Sequence, residues 1–346
     1  MTDLLSMSLE ELTEWVKAQG YPAFRAKQLY AWILRGVDFP QMSNLPRELR
    51  DALSEIAIAN PVSIEKVVTS HLDDTRKFLY RLPDGNLIEG VLMRYKHGHT
   101  MCLSTQAGCR MGCAFCASTI GGLARDLTPG EMLGQIVAVN ALLGDAGKVG
   151  NAVLMGSGEP LDNYENTVKF LRLMSDERGL NLSLRGVSLS TCGLAPAMRR
   201  LAEEGLPVTL CLSLHAPNDE IRKTLMPVAA AYPIEDAIDA CRYYVQRTGR
   251  RAIFEYALIA GVNDAPEHAD ELSRRLRGLQ CHVNVIPLNE IPERGLRAPD
   301  EKTIAAFLRR LEARHLSATR RREMGEDIQG ACGQLRGSAL AAESGE

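Results

Sequence analysis

Aromatic residues are scarce in this 346-residue chain, at 5%, which disfavours an aromatic-rich binding surface. No apolar run approaches the roughly 18 residues that a bilayer-spanning helix requires. The best candidate, Leu206 to Ala216, is interrupted by Ser213 and His215, so the membrane is not expected as a partner. The opening residues, Met1 to Glu11, include three acids and lack the basic and then apolar regions of an export signal; a cytoplasmic protein is expected. Basic excess is missing too. A net charge of −3 offers no global electrostatic argument for nucleic acid, so an RNA partner must be argued from other features.

Cysteine is plentiful by contrast, with nine in the chain. In a reducing compartment clustered thiols are metal ligands or reactive groups more often than structural disulfides. The length suggests two domains, one large and one small. Residues 1–62 read as a helical accessory domain, with Leu9, Leu12, Val16 and then Leu29, Ile33, Leu34 at near-helical spacing around Gly20-Tyr21-Pro22. Residues 63–98 read as a β-hairpin linker: Arg76 to Leu82 and Leu87 to Met93 flank the turn Pro83-Asp84-Gly85-Asn86. From 99 to 337 short apolar runs at 101–103, 152–155, 187–189, 208–214, 253–259 and 283–288 alternate with amphipathic stretches. That is an α/β pattern of six βα units, a partial (β/α)6 barrel with its functional loops at the C-terminal ends of the strands. Residues 338–346 are small and polar, the composition of a flexible tail.

The densest chemistry lies after the first barrel strand. Gly108-Cys109-Arg110-Met111-Gly112-Cys113-Ala114-Phe115-Cys116 gives C-x3-C-x2-C on a glycine-containing loop. A structural zinc wants four closed ligands, whereas three thiolates on a [4Fe–4S] cluster leave one iron open. The spacing leaves open a zinc completed by a distant ligand. Gly156-Ser157-Gly158-Glu159-Pro160 follows the next strand, where glycine admits close backbone approach and Glu159 can accept from an ammonium group. Ser190, the stretch Ser213-Leu214-His215, and Asn289 stand at three further strand ends.

With these motifs the chain resembles the radical S-adenosylmethionine (SAM) superfamily. The resemblance implies that Cys109, Cys113 and Cys116 hold a [4Fe–4S] cluster at which SAM is reductively cleaved. It further implies that Gly158, Glu159, Ser190, Ser213, Leu214, His215 and Asn289 contact SAM. Two outlying cysteines narrow the likeness: Cys102 in Met101-Cys102-Leu103-Ser104-Thr105-Gln106, and Cys332 in Gly330-Ala331-Cys332-Gly333. Together with Phe24-Arg25-Ala26-Lys27-Gln28 near the start, they resemble the RlmN family of RNA adenine methyl synthases over almost the whole chain.

That resemblance implies methylation of C2 of adenine 2503 in 23S rRNA and of adenine 37 in tRNAs. One SAM methylates Cys332, a second supplies the radical that activates this methyl, and Cys102 forms a transient disulfide with Cys332 to release the product. An electron donor of flavodoxin or ferredoxin type and a monomeric enzyme are expected. C8 methylation of the same rRNA adenine is a close rival, and a zinc-containing RNA-binding protein is a non-enzymatic alternative. Glu89, in the family position of the proton acceptor, alternates in phase with Leu87, Val91 and Met93; a lone carboxylate on an apolar face suits a general base. By pattern alone Glu89 also fits an exposed edge strand, and Cys102 and Cys332 fit small core residues. Cys192, Cys211, Cys241 and Cys281 read as core. RNA contact is expected from Arg25, Lys27 and Arg35 and from the basic run Arg309 to Arg322, although alternating Arg and Glu also make a solvated face. His97-Gly98-His99 reads as polar surface.

Overall fold

The computed structural model describes residues 1–335; the predicted flexible tail, 338–346, lies outside the described residues. The chain opens with a short strand β1 (Thr2–Asp3) and three helices, α1 (Leu9–Ala18), α2 (Phe24–Ile33) and α3 (Arg47–Ile56). A capping box starts α1: the Ser8 hydroxyl accepts from the Glu11 N–H and the Glu11 carboxylate accepts from the Ser8 N–H. The predicted apolar residues Leu9, Leu12 and Val16 of α1 and Leu29 and Ile33 of α2 are buried, while Leu34, just beyond α2, is half-buried. After α3 the strand β2 (Ala57–Ile58) pairs parallel with β1, closing the N-terminal unit on itself.

Next come β3 (Ser63–Thr69), β4 (Arg76–Arg81), β5 (Leu87–Tyr95) and β6 (Gly98–Cys102), successively antiparallel. A small antiparallel ribbon follows, β7 (Gln106–Gly108) with β8 (Leu123–Asp126), and the three-cysteine loop is the segment it encloses. Then helix and strand alternate: α4 (Pro129–Leu143), β9 (Val149–Leu154), α5 (Tyr164–Ser175), β10 (Val187–Thr191), α6 (Ala195–Glu203) and β11 (Thr209–Ser213). Two helices, α7 (Asp219–Leu225) and α8 (Ile234–Thr248), lead to β12 (Ala252–Leu258); α9 (Pro266–Arg275), β13 (Cys281–Pro287), α10 (Glu301–Ala313) and β14 (Ala318–Arg320) complete the series.

One ten-stranded sheet results, ordered β14-β13-β12-β11-β10-β9-β6-β5-β4-β3. The six predicted barrel strands, β6 and β9 to β13, are parallel neighbours. The structure adds a seventh, β14, parallel to β13; it is three residues long and two of them, Thr319 and Arg320, are polar and exposed, so no apolar pattern announces it. The segment 63–98 is not a linker. Its strands continue the barrel sheet through β5 and β6, because the backbone edge of β6 needs a partner.

The N-terminal unit docks on α4. Thr128 caps that helix and also donates to the Asp3 carboxylate (2.8 Å), while the Gly130 N–H donates to Ser6 Oγ (2.8 Å). A side chain at Gly130 or Gly134 would collide with Asp3 or Val62, so the two small residues set how closely the units approach. Covered by the sheet on one side and this segment on the other, α4 is apolar nearly all round. Leu4, Leu12, Leu29 and Ile33 share one continuous core with the barrel residues Leu154, Leu189 and Val283. Among the described residues no helix is long and apolar enough to cross a membrane.

Candidate active site

The C-terminal ends of the parallel strands surround a cavity of about 160 Å³, and Cys109, Cys113 and Cys116 form part of its wall. The ribbon below holds the cysteine loop in shape. At Gly108, φ is +77° and a Cβ would strike the Gly122 carbonyl, which instead accepts from the Cys109 N–H at 2.9 Å; only glycine fits this approach. Thr119 Oγ1 donates to the carbonyls of Cys113 (3.2 Å) and Cys116 (3.0 Å), and Arg294 Nη2 to that of Cys116 (3.2 Å). Burial pushes the Cys109 thiol up to about 12, and those of Cys113 and Cys116 upward as well. Thiols so placed ionise when a cationic group binds them. Among the described residues no three His, Cys, Asp or Glu side chains converge closely enough for one metal ion. The three thiols share the wall of one cavity.

Opposite them, Gly158 has φ +108° and no room for a Cβ against Thr105 and Gln106. This brings Glu159 into the cavity wall. Its carboxylate accepts from the N–H groups of Cys192 (2.7 Å) and Leu161 (3.0 Å). Burial raises its pKa while these hydrogen bonds oppose the rise. Ser190 and Ser213, on neighbouring strands, share a hydrogen bond of 3.2 Å, and Asn289 Nδ2 donates to the Cys332 carbonyl (3.0 Å).

His215 adopts a left-handed φ of +55°. Its Nδ1 accepts from the Ala257 N–H (2.9 Å), which leaves the proton on Nε2, and its ring meets Phe115 of the cysteine loop edge-on. Burial, helped by the Arg222 charge, lowers its pKa to about 3. The unfolded chain therefore binds a proton at His215 between about pH 6.5 and 3 that the folded chain refuses. Stability from this site is complete above about 6.5 and drains as pH falls toward 3. His215→Gln is expected to flatten the fall in denaturation midpoint across that window; an unchanged pH profile would remove His215 as a source of acid lability.

Leu214 departs from expectation. Its side chain is buried in the core, its N–H donates to the Glu255 carbonyl and its own carbonyl accepts from Arg222. Alternation decides this: with Ser213 and His215 facing the cavity, the residue between them faces away.

A second, smaller cavity, about 40 Å³, adjoins the first and shares Met155, Ile286, Asn289, Arg321 and Cys332 with it. Cys102 and Cys332 both line this second cavity. Cys102 packs with Val91, Met93, Met324 and Leu335, and burial, with the nearby Cys332, pushes its thiol up to about 12. The Cys332 segment is seated: the Ala117 N–H donates to the Gly333 carbonyl (2.7 Å) and Ser118 Oγ to that of Leu335 (2.7 Å).

Glu89 is buried on the Val91 face, as the alternation indicates, but it is not a lone carboxylate. Lys77 on β4, diagonal to it across the ladder, forms a buried ion pair with it at 3.1 Å and also donates to the Gln329 carbonyl. This pairing joins the Glu89 strand to the segment carrying Cys332. Glu89 itself does not line either cavity.

Other site residues escaped the sequence. Cys192, read as core, lines the first cavity, as do Glu255 and Arg321, which pair at 3.3 Å. A charged residue inside the apolar run 253–259 was the available clue for Glu255; Arg321 was hidden in the basic run. That run is largely neutralised: Arg310 and Arg314 both bind Asp270, and Arg320 binds Glu301 and Glu323. At the N-terminus Lys27 is exposed, Arg25 lies over the exposed Phe24 ring and Arg35 over Trp32. His97 stacks on Tyr95. Cys211, Cys241 and Cys281 are buried away from both cavities.

An open parallel barrel with a three-cysteine loop and a Gly-Ser-Gly-Glu-Pro turn around one cavity defines a radical SAM enzyme, a class whose cofactors are a [4Fe–4S] cluster and SAM. Residues 103–272 match the Radical SAM superfamily model, and residues 2–59 match the ribosomal RNA large subunit methyltransferase N-terminal domain. A protein of Lachnospira eligens named "Probable dual-specificity RNA methyltransferase RlmN" is 49% identical over 97% of this chain and 96% of its own. A protein of the same name from Clostridium perfringens is 50% identical over 98% of each chain. The crystal structure of a radical SAM methyltransferase from Sphaerobacter thermophilus superposes with a TM-score of 0.94 at 44% identity, covering 98% of this chain and all of that one. The chain belongs to the RlmN family of radical SAM methyltransferases.

Proposed function

We propose that the enzyme methylates C2 of adenine 2503 in 23S rRNA and of adenine 37 in tRNAs, carrying the new carbon on Cys332. The observation that supports this most is the sharing of Cys332 between two cavities, one walled by the three-cysteine loop and the other by Cys102. A carrier thiol must meet both a methyl source and the thiol that later frees the product, and Cys332 stands between them.

In this reading Cys109, Cys113 and Cys116 ligate the cluster. Gly158, Glu159, Ser190, Ser213, His215 and Asn289 contact SAM, with Leu214 left out because its side chain faces the core. When bound, the cluster supplies the electron that cleaves SAM and so drives removal of a hydrogen atom from the carrier methyl. The remaining work belongs to the chain. The Cys332 thiolate displaces the methyl of a first SAM, forming an S–CH3 bond as the sulfonium S–CH3 bond breaks. The activated carbon joins adenine C2, an electron-poor position that cannot attack a methyl group by itself, and the adduct gives one electron back to the redox partner that supplied it. Glu89 takes the C2 proton, held in place by Lys77. Cys102 then attacks the Cys332 sulfur, so that an S–S bond forms while the bond from sulfur to the transferred carbon breaks, its electron pair staying on that carbon, which takes up a proton to become the methyl group. A monomer in the cytoplasm, served by a flavodoxin-like or ferredoxin-like donor, fits this chemistry, with Arg25, Lys27 and Arg35 meeting RNA phosphates.

The test is anaerobic turnover on 23S rRNA fragments and bulk tRNA with SAM bearing a trideuterated methyl group. The expected product is 2-methyladenosine that has lost part of its methyl deuterium. Label at C8 would replace the assignment by C8 methylation, an intact trideuteromethyl group would eliminate the carrier, and a colourless preparation lacking the broad absorbance near roughly 400 nm would support bound zinc instead.

A further inference from the structure

Arg222 on α7 is completely buried, yet among the described residues it pairs with no carboxylate. Its Nε donates to the Leu214 carbonyl (3.3 Å), Nη1 to that of Tyr232 (3.2 Å) and Nη2 to that of Cys192 (2.6 Å). Gly193, at φ +102°, makes room for it, since a Cβ there would lie 3.0 Å from Nη2. The acid nearest in sequence, Asp219, gives its carboxylate to the Ile234 N–H. His215, the ionisable group beside Leu214, is held neutral. Carbonyl dipoles solvate a guanidinium, but they do not neutralise it, and a buried charge without a counter-ion is strongly unfavourable.

The surroundings indicate where the balancing charge belongs. Cys192, whose carbonyl holds Nη2, forms one wall of the larger cavity and packs with Cys113, Leu225 and Met226. Helix α7 touches the cysteine loop directly, the Ala114 N–H donating to the Leu225 carbonyl at 2.8 Å. Burial lowers the Arg222 pKa, and the charges that most oppose this are Cys192 and then Asp219. A doubly positive [4Fe–4S] core held by three thiolates is a net monoanion, and one-electron reduction makes it a dianion.

We propose that Arg222 is the buried counter-cation of the iron–sulfur cluster, a positioning residue that favours the reduced state electrostatically. The inference rests on the reading of Cys109, Cys113 and Cys116 as the cluster ligands. Since no carboxylate forms an ion pair with Arg222 among the described residues, the negative charge of the cluster would be its balancing partner.

The experiment compares the full-length, anaerobically reconstituted wild type with Arg222→Lys and Arg222→Met. It measures iron content, the cluster reduction potential by EPR-monitored titration, and thermal unfolding of apo and loaded forms. Wild type without stoichiometric iron and sulfide would overturn the ligand assignment itself. With the wild-type cluster present, Arg222→Met is expected to disfavour reduction by at least tenfold, equivalent to about 59 mV for one electron. Arg222→Lys, which keeps the charge but cannot reach all three carbonyls, is expected to retain a near-wild-type potential despite a lower melting temperature. If Arg222→Met keeps the wild-type potential, Arg222 is only a brace between loops. If it does not fold, Arg222→Lys still decides: a potential displaced in that variant as its stability falls would overturn the electrostatic role.

Discussion

Cys332→Ala is expected to make no methylated adenosine while still cleaving SAM. Cys332 is the thiol that faces both cavities, so its removal leaves the transferred carbon with no carrier, and methylation should fall by at least about 10⁴-fold, as for loss of other covalent nucleophiles. The fold should tolerate the change. Cys332 is half-buried, and what holds its position is a main-chain carbonyl bonded to Asn289, which alanine keeps. Reductive SAM cleavage, which does not need the carrier, should therefore continue, and the iron–sulfur absorbance should be unaltered. Mass analysis of nucleosides after incubation with trideuteromethyl SAM distinguishes the outcomes. A Cys332→Ala enzyme that still labels adenine would mean that methyl passes directly from SAM to RNA, and the carrier role would be abandoned.

Cys102→Ala is expected to fail at the other end of the reaction, with RNA held covalently on the enzyme. Burial keeps Cys102 as a thiol, its pKa pushed up to about 12, so at neutral pH it neither competes for the methyl group nor closes prematurely on Cys332. That protection becomes useful only if a later step ionises it beside the substituted Cys332 sulfur. Without it the bond between Cys332 and the nucleotide has no attacking thiol, and each chain should stop after one event. The readout is an RNase-sensitive shift on a denaturing gel, absent from the Cys102→Ala/Cys332→Ala double variant. Multiple turnover by Cys102→Ala, with no adduct, would reduce Cys102 to a packing residue among Val91, Met93 and Met324.

Much of this site can be read along the chain because its parts are local. The cysteine loop is a spacing, the Gly158 turn is a conformation only glycine tolerates, and Ser190, Ser213, His215 and Asn289 lie at the ends of apolar runs, where barrel geometry places functional groups. The hairpin around Gly85 is legible for the same reason, since turn chemistry acts over four residues. What the pattern could not reveal was that this hairpin adds its strands to the barrel, because the identity of a strand's neighbour is not encoded in its own alternation.

The departures from expectation have the same origin. Leu214 sits between Ser213 and His215 in sequence, yet the pleat turns it the other way. Alternation puts Glu89 alone on an apolar face; Lys77, on the adjacent strand, meets it there. Its place at the end of an apparent strand makes Cys192 look like core, and it is indeed buried, but in the cavity wall. For the run Arg309 to Arg322 the sequence left open an RNA contact and a solvated, salt-bridged face; Asp270, Glu301 and Glu323 take much of its charge and Arg321 turns inward.

The sequence by itself determined which donors this protein possesses, how the thiols are spaced and which strand ends carry polar groups, since covalent spacing and backbone preference act over a few residues. Only the tertiary structure decided how those groups are charged and which of them meet. Lys77 finds Gln329 across 252 positions, Arg321 finds Glu255 across 66, and Arg222 finds Cys192 across 30. Ionisation depends on burial and on the nearest opposite charge, and both are set by neighbours that folding brings from far along the chain.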